Sequence, residues 1–145
     1  MGRTIDVALA RAATAEGAVW RHSFDMLGEA ALTTADAERY LEAYRQAIAA
    51  VAAVVPRFAA AEDAPSISVK LSALHPRYEP TQRPRVLREL LPRLLLLAEQ
   101  AAASGVALTL DTHHCNPFTT EPPDLVRLRQ LLEKLKLRGK TITAR

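Results

Sequence analysis

The sequence is poor in the features that mark secreted and membrane-spanning chains. Cysteine occurs once, at Cys115, which excludes an internal disulfide framework and fits a reducing compartment. The first residues lack the apolar core of a secretory signal, and the apolar run from Leu94 to Leu97 is too short to cross a bilayer. We therefore expect a cytoplasmic protein.

Nucleotide-binding and hydrolase motifs are also missing. The five glycines form no Gly-x-Gly-x-x-Gly, phosphate-loop or Gly-x-Ser-x-Gly pattern. The net charge is +3, but the basic residues are scattered and are not interleaved with aromatic residues, so nucleic-acid binding is disfavoured. With 49% hydrophobic and 24% charged residues, the 145-residue chain is typical of a globular domain or of part of one.

One cluster of metal-ligand residue types occurs, at His113, His114 and Cys115. Three consecutive residues cannot easily direct their side chains at one ion, and no second pair of ligands lies at a spacing typical of zinc sites. We therefore predict no metal site.

Three short segments alternate apolar and polar residues, as expected of β-strands. In residues 66–72 the odd positions are apolar, and the even positions are serines and Lys70. In residues 106–111 the even positions are apolar, and the opposite face ends on Asp111. The segment 20–25 has the same phase and also ends on a carboxylate.

One helical pattern, over residues 4–18, precedes these segments, and two more, over 37–51 and 84–103, separate them. The alternation predicts a βαβαβ arrangement with parallel strands, and hence the α/β class. Parallel sheets are covered on both faces. A polar face that carries Lys70 and Asp111 therefore indicates a lined site rather than a solvated surface.

Residue types at the predicted helix ends support these boundaries. Thr33 and Asp36 have the spacing of a capping box, and the helix that follows is predicted to end before Pro56. Gly105 is placed to cap the carboxyl end of the last of these helices. Pro92 lies inside that helix, where we expect a kink and a cost of roughly 3 kcal/mol if nothing compensates it.

The character of the chain changes after the third strand segment. Residues 112–123 are polar and contain proline, and a leucine stripe predicts an amphipathic helix at 124–137. The only later strand pattern is very short, at 141–143. We therefore divide the chain into residues 1–111 and a divergent tail, residues 112–145.

Two motifs of the chain carry a family resemblance. One is Asp-Met-Leu-Gly-Glu-Ala-Ala at 25–31, and the other is Ile-Ser-Val-Lys-Leu-Ser-Ala-Leu-His-Pro-Arg-Tyr at 67–78. Together with Leu-Leu-Pro-Arg at 90–93 and the strand ending at Asp111, they resemble the proline dehydrogenase domain of the bacterial bifunctional proline utilization A flavoenzymes. The resemblance covers residues 4–111. It implies part of a distorted (β/α)8 barrel that binds FAD, with about three parallel strands and intervening helices. The leucine stripe of the tail adds a C-terminal helix to this α/β architecture.

The resemblance also implies roles for residues at or near the carboxyl ends of the strands, where such barrels carry their chemistry. Lys70 would bind the carboxylate of the substrate. Asp111 would be an active-site aspartate that organises cationic groups and stays ionised. Thr112 falls where the backbone of the family approaches the flavin. Glu29 matches a glutamate that gates the pocket, and Asp25 would line the lumen.

The residues themselves leave simpler alternatives open. Lys70 would then extend to solvent from an edge strand, and Asp111 would cap the next helix. Glu29 would be a solvated loop acid, and Asp25 would be a turn former. His75 lies in a His-Pro-Arg-Tyr turn and is predicted to be structural rather than catalytic.

The activity that the resemblance implies is FAD-dependent oxidation of L-proline to 1-pyrroline-5-carboxylate. It also implies a quinone as electron acceptor and peripheral membrane association of the full-length enzyme. Because the later strands and arginines of the family have no match here, we expect an incomplete, inactive fragment that does not hold FAD stoichiometrically. The alternative is a non-enzymatic, degenerate α/β fragment that self-associates through exposed sheet edges.

Overall fold

The computed structural model describes residues 4–14, 16–26, 30–58, 63–111 and 143–144. Helices and strands alternate along these residues, with short 3-10 turns between some of them. In chain order they are α1 (Ile5–Ala12), β1 (Ser23–Asp25), α2 (Thr34–Ala52), β2 (Ser66–Lys70), α3 (Arg83–Ser104), β3 (Ala107–Asp111) and β4 (Thr143–Ala144). This order confirms the predicted α/β class.

The four strands form one parallel sheet in the order β1-β2-β3-β4. Phe24 lies opposite Ile67, which in turn lies opposite Leu108. Residues opposite each other in parallel strands point to the same face, so these apolar side chains share one side of the sheet. The parallel pairing predicted from the strand–helix alternation is therefore confirmed for β1 to β3.

All three predicted strands are shorter than their sequence patterns, and β3 begins at Ala107 rather than at residue 106. β1 begins at Ser23 rather than at residue 20, and Trp20 instead caps the 3-10 turn Gly17–Val19. β2 ends at Lys70 rather than at residue 72, because the chain enters the 3-10 turn Leu71–Ala73. All three residues of that turn are buried. The apolar and polar alternation of residues 66–72 depends on burial, and burial continues into this turn after the strand hydrogen bonds have ended.

The first helix is also shorter than predicted, because α1 ends at Ala12 rather than near Gly17. The hydroxyl of Thr14 donates to the carbonyl oxygen of Arg11 at 2.8 Å, and such local side-chain bonds compete with helix continuation. Gly17 then passes close to the helix end: a Cβ at this position would lie 2.6 Å from the carbonyl oxygen of Ala12. Glycine at residue 17 permits this close approach.

The ends of α2 and α3 follow the predicted capping residues. The Asp36 N–H donates to Oγ1 of Thr33 at 3.1 Å, and the Thr33 N–H donates to Oδ2 of Asp36 at 2.8 Å, which closes the capping box. The hydrogen bond from the Thr33 side chain is the largest of the interactions that lower the pKa of Asp36. Gly105 has φ 78° and terminates α3, which runs unbroken through Pro92.

The hydrophobic core lies between the apolar side of the sheet and the two long helices α2 and α3. Ile67 and Val69 of β2 are 1% and 0% exposed. The helices cover them with the large side chains of Tyr44, Ile48, Val51, Leu90, Leu94 and Leu97. Packing of this kind fixes the strands, and with them the residues at the strand ends.

The predicted amphipathic helix at 124–137 lies outside the described residues. The division between residues 1–111 and 112–145 therefore stays a prediction. β4 overlaps the short strand pattern at 141–143 by one residue and pairs in parallel with β3. Within the described parts of the chain, no helix combines the length and the apolar character needed to cross a membrane.

Candidate functional site

Three charged residues lie at the same edge of the sheet. Asp25, Lys70 and Asp111 are each the last residue of their strand, β1, β2 and β3 respectively. Because the strands are parallel, their carboxyl ends meet at one edge, as they do in the active sites of α/β proteins. Asp25 lies opposite Ser68, and Lys70 lies opposite Asp111. All three charged side chains therefore belong to the polar face of the sheet.

Lys70 is buried and bound to a carboxylate. Its Nζ lies 3.0 Å from Oδ2 of Asp25, and its side chain is only 9% exposed. Since Asp25 is opposite Ser68, two residues before Lys70, this ion pair crosses diagonally from β2 to β1. A buried ammonium group needs such an anionic partner, because burial without one is strongly unfavourable. The alternative in which Lys70 extends to solvent is therefore wrong.

Asp25 has a different environment from its partner. Its side chain is 42% exposed, so water still reaches the carboxylate while it binds Lys70. Asp25 lies on the polar face of the sheet, and its lumen role stays a prediction. The pairing of Asp25 with Lys70 was not predicted, because it depends on how far β1 extends along β2.

Asp111 is the register partner of Lys70 and is partly buried. The prediction that the two residues share a face is confirmed by this register. The residues that follow Asp111 lie outside the described part of the chain, so the alternative role as a helix cap stays open. The site thus offers one ammonium group with carboxylates on the two neighbouring strands.

A tyrosine from the helix layer reaches the same strand end. The Lys70 N–H donates to Oη of Tyr44 at 3.0 Å, and Tyr44 is 0% exposed. Burial raises the pKa of Tyr44 to about 12, and the negative charges of Asp25 and Asp111 act in the same direction. The phenol is therefore neutral at ordinary pH. Tyr44 has the spacing of an apolar core position in the predicted helix 37–51, and that spacing carries no sign of the contact with Lys70.

Residues of this chemistry suit a small zwitterion. An ammonium group binds a carboxylate, and a carboxylate binds an amine or ammonium group, and both kinds of group meet at this edge. A buried lysine is also a stronger recognition group than an exposed one, because the surrounding dielectric is lower. The edge is therefore chemically suited to an amino acid or a related compound.

Comparison with known proteins decides which family this site belongs to. The family described as Proline dehydrogenase matches residues 8–138, which is most of the chain and includes all three strand-end residues. The chain belongs to the proline dehydrogenase family. The match extends past Asp111, where the sequence analysis ended the resemblance, and so includes part of the predicted tail.

Curated relatives of this proline dehydrogenase chain are described as "Bifunctional protein PutA". The relative from Salmonella typhimurium is 45% identical over 115 residues, which cover 79% of this chain and 9% of the relative. The one from Escherichia coli is 46% identical over 110 residues, which cover 76% of this chain and 8% of the relative. The chain thus spans less than a tenth of the length of these relatives.

Comparison with solved structures supports the same family of fold. A mutant of Bradyrhizobium japonicum Proline Utilization A superposes with a TM-score of 0.68 at 40% identity, over 96% of this chain and 14% of that one. The protein from Bdellovibrio bacteriovorus superposes with a TM-score of 0.66 at 21% identity, which supports the fold alone. The proline dehydrogenase domains of such proteins are (β/α)8 barrels, and the parallel sheet described here is part of one.

The turn after β2 of this proline dehydrogenase chain is held by a histidine. His75 is 2% exposed; its Nε2 lies 3.1 Å from Oε2 of Glu89, and its Nδ1 accepts from the Arg77 N–H at 3.1 Å. Hydrogen bonds from Arg85 and then from His75 lower the pKa of Glu89. One ring nitrogen is engaged within the turn and the other by α3, so the structural role predicted for His75 fits its surroundings.

An arginine fixes the same turn against both long helices. Arg93 of α3 donates to the carbonyl oxygen of Leu74 at 2.7 Å and also donates to Glu38 of α2. Leu74 lies four residues after Lys70 and is fully buried. The segment that leaves the site is thereby held in place by charge-assisted hydrogen bonds.

Two of the predicted site residues, Glu29 and Thr112, lie outside the described residues. Their roles as gate and as flavin contact stay predictions. The same holds for the segment His113 to Cys115, for which no metal role was predicted. Among the residues that the structure does describe, no group of three or more metal-ligating side chains comes together.

Proposed function

We propose that this chain supplies part of the active site of an enzyme that oxidises L-proline to 1-pyrroline-5-carboxylate with FAD. The observation that carries the proposal is Lys70, a buried lysine at the carboxyl end of β2 in a proline dehydrogenase chain. Its ammonium group would bind the proline carboxylate. Membership of the family and the predominantly buried position of the lysine both support this role.

The two aspartates take complementary roles in the proposal. Asp25 holds the Lys70 ammonium group at 3.0 Å and so fixes the direction from which a carboxylate approaches it. Asp111, opposite Lys70 in the register, adds negative charge that favours the cationic forms of groups around it. The net effect is a site that accepts a zwitterion.

FAD would accept the hydride from the proline carbon next to the ring nitrogen. The described residues fit the substrate better than they fit this cofactor. A diphosphate carries several negative charges and no cation, so the carboxylates on both sides of Lys70 disfavour it, whereas the ammonium group of proline can face a carboxylate while its own carboxylate faces Lys70. We therefore assign these residues to proline, and propose Thr112 and regions beyond this chain for FAD.

We further propose that this chain alone does not hold FAD stoichiometrically. Four parallel strands are described, and a barrel of this type closes with eight. The test is the absorbance spectrum of the purified chain. A yellow protein with one flavin per chain would overturn this part of the proposal and would support an active unit of this size.

The activity itself is tested with a chimera. Residues 8–111 would replace the matching segment of the Escherichia coli relative, which is 46% identical over 110 residues. We expect this chimera to oxidise L-proline with an artificial electron acceptor. A chimera that folds and binds flavin but does not oxidise L-proline would contradict the proposed function.

The acceptor and the cellular setting follow from the same family membership. We propose a quinone as the electron acceptor, peripheral membrane association of the full-length enzyme, and a cytoplasmic location that agrees with the single cysteine. Addition of lipid vesicles that contain a quinone should then raise the turnover of the chimera. Equal turnover with and without them would contradict the proposed acceptor.

A second candidate function is self-association without catalysis. β1 is an edge strand of the described sheet, and an unpaired parallel edge is a template for pairing with another chain. The experiment that tests this candidate is sedimentation of the purified chain, because both candidates expect that chain to lack flavin. Oligomers would favour self-association, whereas a monomer would remove this candidate.

A further inference from the structure

The hydroxyl of Tyr44 lies at the point where the ladder between β1 and β2 stops. The Ser66 N–H donates to the carbonyl oxygen of His22 at 2.9 Å, so the N–H of Ser66 faces β1. In a parallel strand, successive residues direct their N–H groups to alternate sides. The N–H groups of Ser68 and Lys70 therefore also face β1.

β1 is too short to accept hydrogen bonds from all three of these N–H groups. Its last register pair places Asp25 opposite Ser68, two residues before Lys70. The Lys70 N–H donates instead to Oη of Tyr44, at 3.0 Å. The hydroxyl thus accepts at the first ladder position beyond the last β1–β2 pair, where an unsatisfied buried N–H would be unfavourable.

Tyr44 is well suited to fix this position. Its ring is fully buried in the core, and α2, on which it lies, starts at the capping box of Thr33 and Asp36. A tyrosine has only two side-chain torsions, so a packed ring leaves its hydroxyl little freedom. The raised pKa of Tyr44 keeps this hydroxyl neutral, and therefore an uncharged acceptor, at ordinary pH.

Lys70 is consequently held at both ends. Tyr44 binds its backbone nitrogen, and Asp25 binds its Nζ at 3.0 Å. We infer that Tyr44 is a positioning residue that sets the place of the Lys70 ammonium group, an inference that rests on the proposed role of Lys70 in binding the substrate carboxylate. Tyr44 contacts no substrate in this account, and it acts through the backbone of Lys70.

The first test measures the hydrogen bond directly in the 15N-labelled chain. Tyr44→Phe removes the hydroxyl and keeps the ring, and we expect amide hydrogen exchange at Lys70 to become faster by about tenfold or more. Tyr40→Phe is the matched control, because Tyr40 lies on the same helix and packs against the same core. Unchanged exchange at Lys70 in Tyr44→Phe would overturn the inference.

The second test reports on the lysine side chain, which a purely structural tyrosine would not affect selectively. Native chains are acetylated briefly, and the modification of Lys70 is measured by mass spectrometry relative to Lys134, Lys136 and Lys140. We expect Tyr44→Phe to raise the ratio several-fold and Tyr40→Phe to leave it unchanged. A ratio that stays the same in Tyr44→Phe, or that rises equally in both variants, contradicts a positioning role.

The unsubstituted chain supplies a test that needs no variant to fold. The Lys70 amide should be protected from exchange to within about tenfold of Ser66, whose N–H bonds to β1. Exchange at Lys70 as fast as in an unstructured peptide would overturn the inference. These readouts do not use proline, so they can fail while the proposed function holds, or succeed while Lys70→Ala in the chimera leaves proline oxidation unchanged.

Discussion

Strand β2 presents Ile67 and Val69 to one side of the sheet and Ser68 and Lys70 to the other, and the two sides are filled in different ways. On the helix side, close packing leaves Ile67 and Val69 at most 1% exposed. On the other side, Lys70 is nearly as buried, but a partly solvated carboxylate from β1 holds it. Apolar packing on the helix side therefore stabilises the fold, whereas burial of a charged group on the polar side lowers its stability.

The largest expected effect is on the helix side. Ile67→Ala should lower the free energy of unfolding by about 2–5 kcal/mol, because it removes buried apolar groups and leaves a cavity. Ser66→Ala, next to it on the polar side, should change that free energy by less than about 1 kcal/mol. Urea denaturation measures both. Equal effects of the two substitutions would remove the distinction between the two sides.

Tyr44 packs in the helix-side core, and its buried phenol should make the chain sensitive to alkali. Its pKa is raised from 10.0 to about 12 in the folded state, so the folded chain favours the neutral phenol. The associated stability is fully present below pH 10 and is lost as the pH rises towards 12, a loss of about 3 kcal/mol. Unfolding free energies at pH 9 and pH 12 should differ less in Tyr44→Phe. An equal difference in that variant would contradict the buried, neutral phenol.

The polar side should affect substrate binding. In the chimera, Lys70→Ala should weaken proline binding by about 1–3 kcal/mol, through the loss of a charge-assisted hydrogen bond. The measurement is the KM for proline together with kcat, and Ser66→Ala is the control. An unchanged KM in Lys70→Ala would show that the buried lysine serves the fold alone.

The smallest effect is expected from the turn that leaves the polar side. Arg85 and His75 lower the pKa of Glu89 below its ordinary value of 4.5. The stability from these contacts is therefore present above about pH 4.5 and is lost as the pH falls through the lowered value. Because Glu89 is exposed, the loss should be slight. Glu89→Gln should flatten the unfolding free energy between pH 5 and 3, and an unchanged slope would contradict the contribution of this carboxylate.

Local signals in the sequence were sufficient for much of this fold. The hydroxyl and carboxylate at Thr33 and Asp36, and the glycine at 105, marked helix ends, because capping depends on residues that are adjacent in sequence. The alternation in residues 66–72 and 106–111 predicted which side chains share a face. That phase was enough to place Lys70 and Asp111 together.

The contacts that could not be predicted from the sequence depend on the register between neighbouring strands. The pair of Asp25 with Lys70 requires β1 to stop opposite Ser68, and strand register is set by packing rather than by local sequence. The hydrogen bond from the Lys70 N–H to Tyr44 also requires β1 to stop opposite Ser68. For that reason a residue with the spacing of an ordinary core tyrosine proved to contact the site.

The order of the parallel strands also determines when the site can exist during folding. Asp25, Lys70 and Asp111 belong to three strands that are separated by long helices, and each neighbouring pair forms only after a helix has crossed back over the sheet. Contacts between residues so distant in sequence form late and slowly. On a ribosome, β1 is made before the strands that carry Lys70 and Asp111. The bond between Asp25 and Lys70 can therefore form only after β2 has paired with β1, and the pairing of Lys70 with Asp111 must wait until β3 has been made as well.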